Sequence, residues 1–451
     1  MRVLAPALLL LVACDGTGDS DSDVPLITEP DVPTSTCAAE PYDWLPFDQV
    51  GEIISVEEAE DLSVDKAVID LGLKQYGLDQ FTPVPYSVRA WRVRYVTQDK
   101  GKRVEATAVL AVPQSSERMD VPTVVWAHGT TGLTNECAPS TGGLVDNVGA
   151  ILIASQGWAA VQPDYIGMNG FGEPAEDLHP YLVVEPAATG TLDAVRALWN
   201  LEDAVDQPIA AKPTKQVLLW GASEGGFHAL WADRYFEHYL PEGELIGTIA
   251  AVPPSDLLGL AEVAVQPGPL KDASAGLAAG MVGQATWYGD TSVINTFVDE
   301  PLATSLLETA AQKCTLGGLA KGIETVDDAF KPEPLAAARA GDWAEPFGCF
   351  LEEGTLRNST VPRTHDAPVF FQVSGADELV VGSVIADDAV KLCDAGYRLD
   401  FLLCDGADHV EGAAESLPVQ LQWAMARIAG EPMDAVCDTD DVQDCSVYFD
   451  F

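Results

Sequence analysis

The sequence predicts an α/β fold: a mainly parallel sheet covered by helices on both faces and interrupted by one long, largely helical insertion. Three observations carry this. Short apolar strand-like runs alternate with helical periodicity over most of the chain. That alternation stops between Ser255 and Asp366. One central strand also runs into a Gly-x-Ser-x-Gly turn that opens directly onto a helix.

In chain order, the first element is a leader. Met1-Arg2 is a minimal positive start, and Val3 to Ala13 is apolar apart from Pro6. A membrane-spanning helix needs about 20 such residues, so this run fits the apolar part of an export signal instead. It ends Leu11-Val12-Ala13-Cys14, which resembles the lipobox of bacterial lipoproteins, where the chain is cut before the cysteine and the thiol carries the lipid. Residues 1–13 are therefore expected to be a lipoprotein signal peptide, Cys14 the lipidated residue, and 14–40 an acidic, flexible tether. The protein is expected to be exported, as a bacterial cell-envelope lipoprotein held at a membrane by this anchor. The alternating acids between Asp15 and Asp23 lack the spacing of a calcium loop.

Composition narrows the partners. Seventy acidic against 24 basic side chains leave a formal charge of −46, which repels phosphate backbones and excludes nucleic acid. Of nine cysteines, eight remain if Cys14 is lipidated, an even number that predicts disulfides in an exported chain and leaves the pairing open. None forms a CxxC pair and no histidine stands at zinc-ligand spacing, so no metal site is expected.

The strands follow. Val88 to Val96 and Val104 to Val112 read as a hairpin around Gln98-Asp99-Lys100-Gly101. Short buried strands are expected at Pro122–Ala127, Trp158–Gln162, Val217–Trp220, Ile246–Val252, Pro368–Val373 and Arg398–Leu403, with helical runs at Thr189–Trp199 and Gly225–Tyr239. From Ser255 to Asp366 the chain is rich in Ala, Gly and Leu and shows helical stretches such as Pro301 to Cys314. A structureless loop of that length is implausible inside a domain. The organisation expected is a core at 41–254, a helical cap at 255–366, and the rest of the core with a C-terminal tail at 367–451.

The chemistry starts at Gly221-Ala-Ser223-Glu-Gly225-Gly226. Between a strand and a helix this pattern makes a turn so tight that only glycine fits beside it, and it thrusts the serine into the crevice above the sheet. A serine hydroxyl is a weak nucleophile and needs a base held by a carboxylate. In such folds the order is Ser, acid, His. Of six histidines only His409 follows the last central strand, so it is the expected base. Asp377, just past the Phe370–Val373 strand, is the expected acid, ahead of its neighbour Glu378 and of Asp256; Asp408 is too near His409 in sequence to reach its ring easily. The N–H of Glu224 and that of Thr130, in the loop His128-Gly-Thr-Thr-Gly132, are the expected oxyanion donors, with Thr131 next.

At this point the chain resembles the secretory lipases related to fungal lipase A and their bacterial relatives. The match rests on HGTTG followed by Glu136-Cys-Ala-Pro-Ser140, on Pro163-Asp-Tyr-Ile-Gly167, His179-Pro-Tyr181, the GASEGG elbow, Asp377-Glu378 and Gly406-x-x-His409, together spanning most of residues 85 to 425. The resemblance implies an α/β-hydrolase fold and hydrolysis of esters or triacylglycerols beneath a helical cap, with no cofactor. It also implies a bridge from Cys137 to Cys314 and one from Cys404 to Cys437 or Cys445. Asp164, His179 and Tyr181 are read as loop organisers. The expected function is therefore that of a serine carboxylic-ester hydrolase acting on an ester or lipid. The alternatives are a serine peptidase on the same fold, for which no propeller repeat is visible, and a non-catalytic surface lipoprotein.

Overall fold

Lys100 and Gly101 both take positive φ, 47° and 63°, the two-residue turn whose twist matches that of the strands it joins. They connect two twelve-residue arms. With β1 (Ile53–Glu58) at its edge, this hairpin of β2 (Val88–Asp99) and β3 (Lys102–Pro113) forms the antiparallel flank of the sheet. The computed structural model describes residues 28–75, 83–315, 322–433 and 436–448. The expected signal peptide, Cys14 and much of the acidic tether lie outside the described residues.

The remaining strands are β4 (Met119–Ala127), β5 (Ala159–Pro163), β6 (Ala211–Ala222), β7 (Glu244–Ala251), β8 (Val369–Ser374), β9 (Leu399–Cys404) and β10 (Val442–Gln443). The sheet runs β1-β2-β3-β5-β4-β6-β7-β8-β9-β10. β3 meets β5 antiparallel, and every pairing from β5 onward is parallel. This is the α/β-hydrolase architecture the sequence predicts.

Side chains alternate across the pleat. On β3, Ala108 and Leu110 enter one hydrophobic core, while Val109 and Ala111 enter the other. The first core is closed by the helices Val184–Trp199 and Glu224–Tyr239, which lie against one another. The second is closed by Val148–Ser155 and Leu417–Ile428. Strands buried on both faces read as continuous apolar runs, which explains why β4 to β9 stand out in the sequence.

Between β7 and β8 the described residues form helices, including Leu257–Ala264, Asp272–Tyr288, Glu300–Ala310, Pro332–Arg339 and Phe347–Glu353, with one isolated bridge from Pro269 to Thr325. Four disulfides join Cys37 to Cys349, Cys137 to Cys314, Cys393 to Cys437 and Cys404 to Cys445. Two of them tie these helices to the N-terminal segment and to the loop after β4. Among the described residues no helix is long and apolar enough to cross a membrane.

Candidate active site

The strand β6 ends at Ala222, and the next helix begins at Glu224. Only Ser223 lies between, at φ 57° and ψ −124°, a conformation costly for a residue with a β-carbon. The glycines show why the pattern is needed. A β-carbon on Gly225 would stand 1.9 Å from the carbonyl oxygen of Ala127, and one on Gly221 would stand 2.0 Å from that of Gly225. The strained serine is held by its N–H to Ala251 O at 2.9 Å and by its carbonyl, which accepts the N–H of Phe227 at 3.1 Å.

The other two side chains arrive from the ends of β8 and β9. His409 opens the helix His409–Glu415, whose first turn is fixed by Asp408 and Glu411 in a reciprocal cap. Its Nε2 is 2.8 Å from Ser223 Oγ, and its Nδ1 is 2.6 Å from Asp377 Oδ2. Asp377 Oδ1 accepts the N–H groups of Leu379 and Val380, both at 2.9 Å. The structure thus brings Ser223, His409 and Asp377 into one hydrogen-bonded chain.

The competitors are engaged elsewhere. Asp256 meets Arg357 at 2.5 Å and caps Gly259 N–H at 2.9 Å. Asp408 caps the His409 helix. His128 bonds Gly129 O at 2.7 Å, His228 lies 3.3 Å from Thr191 Oγ1, His238 contacts Asp31 and Pro362 O, and His365 bonds Asp233 O at 3.0 Å. The loop that carries Thr130 passes close to the nucleophile: a β-carbon on Gly129 would lie 3.6 Å from that of Ser223. Thr130 Oγ1 is 2.9 Å from the Tyr181 hydroxyl.

Asp164 accepts Ser140 N–H at 2.9 Å and the Thr107 hydroxyl at 2.6 Å, tying the loop after β4 to the sheet. Burial pushes its carboxyl up to about 6. One feature of the site escapes sequence reading. Glu224, His179 and His228 are buried together, with His179 Nε2 2.7 Å and His228 Nε2 3.8 Å from Glu224 Oε1. Tyr165 stacks on His228 at 3.7 Å and on His128 at 4.3 Å. The only signal was the presence of His179 in a short His-Pro-Tyr motif, which says nothing of its partner 45 residues away. Among the described residues, these three are the group whose ligand atoms lie close enough together to hold a metal ion. The hydrogen-bond length of the His179–Glu224 contact fits a proton better, because two atoms bound to one zinc ion at about 2.0–2.1 Å each stand roughly 3.3 Å apart.

In front of Ser223 lies a narrow, mostly apolar cavity. Its walls are Leu182 and Val380 from the core side and Leu257, Leu260, Leu277 and Gly280 from the helices between β7 and β8. An apolar pocket ending at a serine hydroxyl hydrogen-bonded to an imidazole has the polarity of a site for an acyl chain.

Comparison with known proteins agrees with this geometry. A model of the secretory lipase family matches residues 145–435. A probable inactive lipase of Mycobacterium tuberculosis is 24% identical over 365 residues, covering 78% of this chain and 76% of that protein. Among solved structures, the rice cell wall degrading esterase LipA of Xanthomonas oryzae superposes with a TM-score of 0.64 at 20% identity, over 84% of this chain and 97% of that one. Candida antarctica lipase A in its closed state gives 0.63 at 17% identity, over 87% and 85%.

Proposed function

The chain belongs to the secretory lipase family, and from that premise we propose that it is an active serine carboxylic-ester hydrolase. The observation that carries the reading is the chain Ser223–His409–Asp377, bonded at 2.8 and 2.6 Å at the mouth of the apolar cavity. In this mechanism Ser223 Oγ attacks the ester carbonyl while His409 Nε2 takes its proton. Asp377 holds Nδ1–H and stabilises the imidazolium. The N–H groups of Glu224 and Thr130 receive the oxyanion, His409 returns the proton to the leaving alcohol, and water releases the acyl group by the same steps in reverse. No cofactor takes part.

Cys14 is proposed as the lipid anchor of an exported enzyme, with residues 1–13 removed and 255–366 acting as the cap. The family and the four disulfides support export, because such bridges persist in oxidising compartments. Phase partitioning into detergent, abolished in Cys14→Ser, tests the anchor.

A second reading has one observation in its favour: the Mycobacterium tuberculosis relative is named a probable inactive lipase. Labelling with a fluorophosphonate separates the two. A mass increase of one phosphonyl group on wild type, absent from Ser223→Ala, supports the hydrolase. An unlabelled wild type that is inert to nitrophenyl esters and triglyceride emulsions sinks it, and turnover of aminoacyl anilides alone would make it a peptidase.

A further inference from the structure

Glu224 follows the nucleophile, and its side chain is sealed inside the protein, with Oε2 lacking any hydrogen-bond partner. A carboxylate there is unwelcome. The N–H of the same residue is the proposed donor to an oxygen that becomes negative during the reaction, and a bare buried anion behind that donor opposes the charge it must stabilise.

The neighbours resolve the charge. His179 Nδ1 is 2.8 Å from the carbonyl oxygen of Ile166. A carbonyl only accepts, so one proton sits on Nδ1. His179 Nε2 then faces Glu224 Oε1 at 2.7 Å. A neutral ring would turn a lone pair toward a carboxylate at that distance, which two acceptors do not tolerate, so a second proton lies between them. Whether it rests on nitrogen or oxygen, the pair sums to zero charge. The other ionisable groups packed here are Tyr165, Tyr181, His128 and His228. Burial pushes both tyrosines up and both histidines down, which keeps all four neutral.

We propose that His179 is a positioning residue for the oxyanion site: by sharing a proton with Glu224 it presents the Glu224 N–H to the reacting carbonyl with no net negative charge behind it. This rests on the esterase reading. Because the substrate carbonyl is neutral and the oxyanion forms only in the transition state, the loss of His179 should fall on kcat rather than KM.

The experiment compares wild type, His179→Gln and the double variant His179→Gln/Glu224→Gln, using nitrophenyl acetate and thermal melts. His179→Gln should lower kcat on the order of tenfold or more with little change in KM. Its melting temperature should fall below that of wild type. Adding Glu224→Gln should recover most of the lost kcat and most of the lost melting temperature, because the unpaired charge is gone.

If His179→Gln is insoluble, a soluble and active double variant supports the proposal; if both are insoluble, charge was not the defect and the proposal fails. It also fails if the double variant is no faster than the single one, if kcat is unmoved while melting changes, or if one divalent metal ion per chain is found in wild type. A wild type inert to both nitrophenyl acetate and fluorophosphonate overturns the esterase reading and this proposal together, whereas failure of the variants in an active enzyme overturns this proposal alone.

Discussion

Asp377 reaches His409 Nδ1 with the one oxygen that is not already taken. Oδ2 lies 2.6 Å from the ring, while Oδ1 receives the N–H groups of Leu379 and Val380. The carboxylate therefore cannot rotate without abandoning two backbone donors, and the imidazole is held in the tautomer that leaves Nε2 free to accept the Ser223 proton. Asp377→Asn keeps the shape but places an amide against Nδ1, which favours the wrong tautomer. In the proposed mechanism kcat on nitrophenyl butyrate should fall by about 10⁴ with folding retained. A loss under tenfold would show that Asp377 does not orient the base.

Gly225 is the tightest point of the elbow. A methyl group there would stand 1.9 Å from the Ala127 carbonyl oxygen, and backbone cannot give way as a side chain can. Gly225→Ala should destabilise by roughly 2 kcal/mol or more and displace Ser223, lowering the melting temperature and abolishing fluorophosphonate labelling together. An unchanged melt with full labelling would refute the steric account.

The cavity wall offers a handle on chain length. A β-carbon on Gly280 would have its nearest neighbours at 3.8 and 4.0 Å, the ends of Gln284 and Leu182, so a larger side chain can enter the cavity. Gly280→Phe should leave acetate esters within about threefold of wild type. It should reduce kcat/KM for C8 and longer esters progressively, because each methylene excluded from the pocket forfeits about 0.8 kcal/mol. Equal losses across C2 to C16 would mean that the acyl chain lies elsewhere.

Glu185 predicts a pH effect on stability. Burial pushes its carboxyl up to about 8; one oxygen accepts the Tyr42 hydroxyl at 2.6 Å and Ser35 N–H at 3.1 Å, and the other has no partner. The folded chain then holds a proton that the unfolded chain has released. The contribution is complete below the unfolded value of about 4.3 and is lost as pH rises toward 8, on the order of 1 kcal/mol per pH unit at most. Glu185→Gln should flatten that decline in denaturant melts between pH 5 and 8. Parallel curves for the two proteins would count against it.

Much of this was legible because the informative residues obey local rules. The elbow announces itself through glycines that only close backbone contact requires. β4 to β9 are apolar because both of their faces are covered, and His409 is the one histidine beyond the last central strand. What was not legible depends on distance in sequence. β1 carries Glu57 and Glu58 and is held by pairing with β2, and β10 is two residues of the tail that pair with β9. The choice between Cys437 and Cys445 for Cys404 depended on how the tail folds back, and Cys445 takes the place. His179 holds the loop after β5 through the Ile166 carbonyl, as read, and also meets Glu224, because two segments distant in sequence come together beneath the elbow.

The bridges at Cys314 and Cys349 have a mechanical consequence. A disulfide fixes the separation of two backbone points, so no hinge can operate across it. Cys349 is secured to Cys37, and Cys314 to the loop after β4. The insertion cannot therefore swing away as a single door while the protein is oxidised. Motion is left to the stretches between anchors, among them Ser255 to Cys314, which includes Leu257–Ala264 and Asp272–Tyr288, helices that wall the cavity. Shifts within that stretch would reshape the cavity in front of Ser223 without straining either bridge.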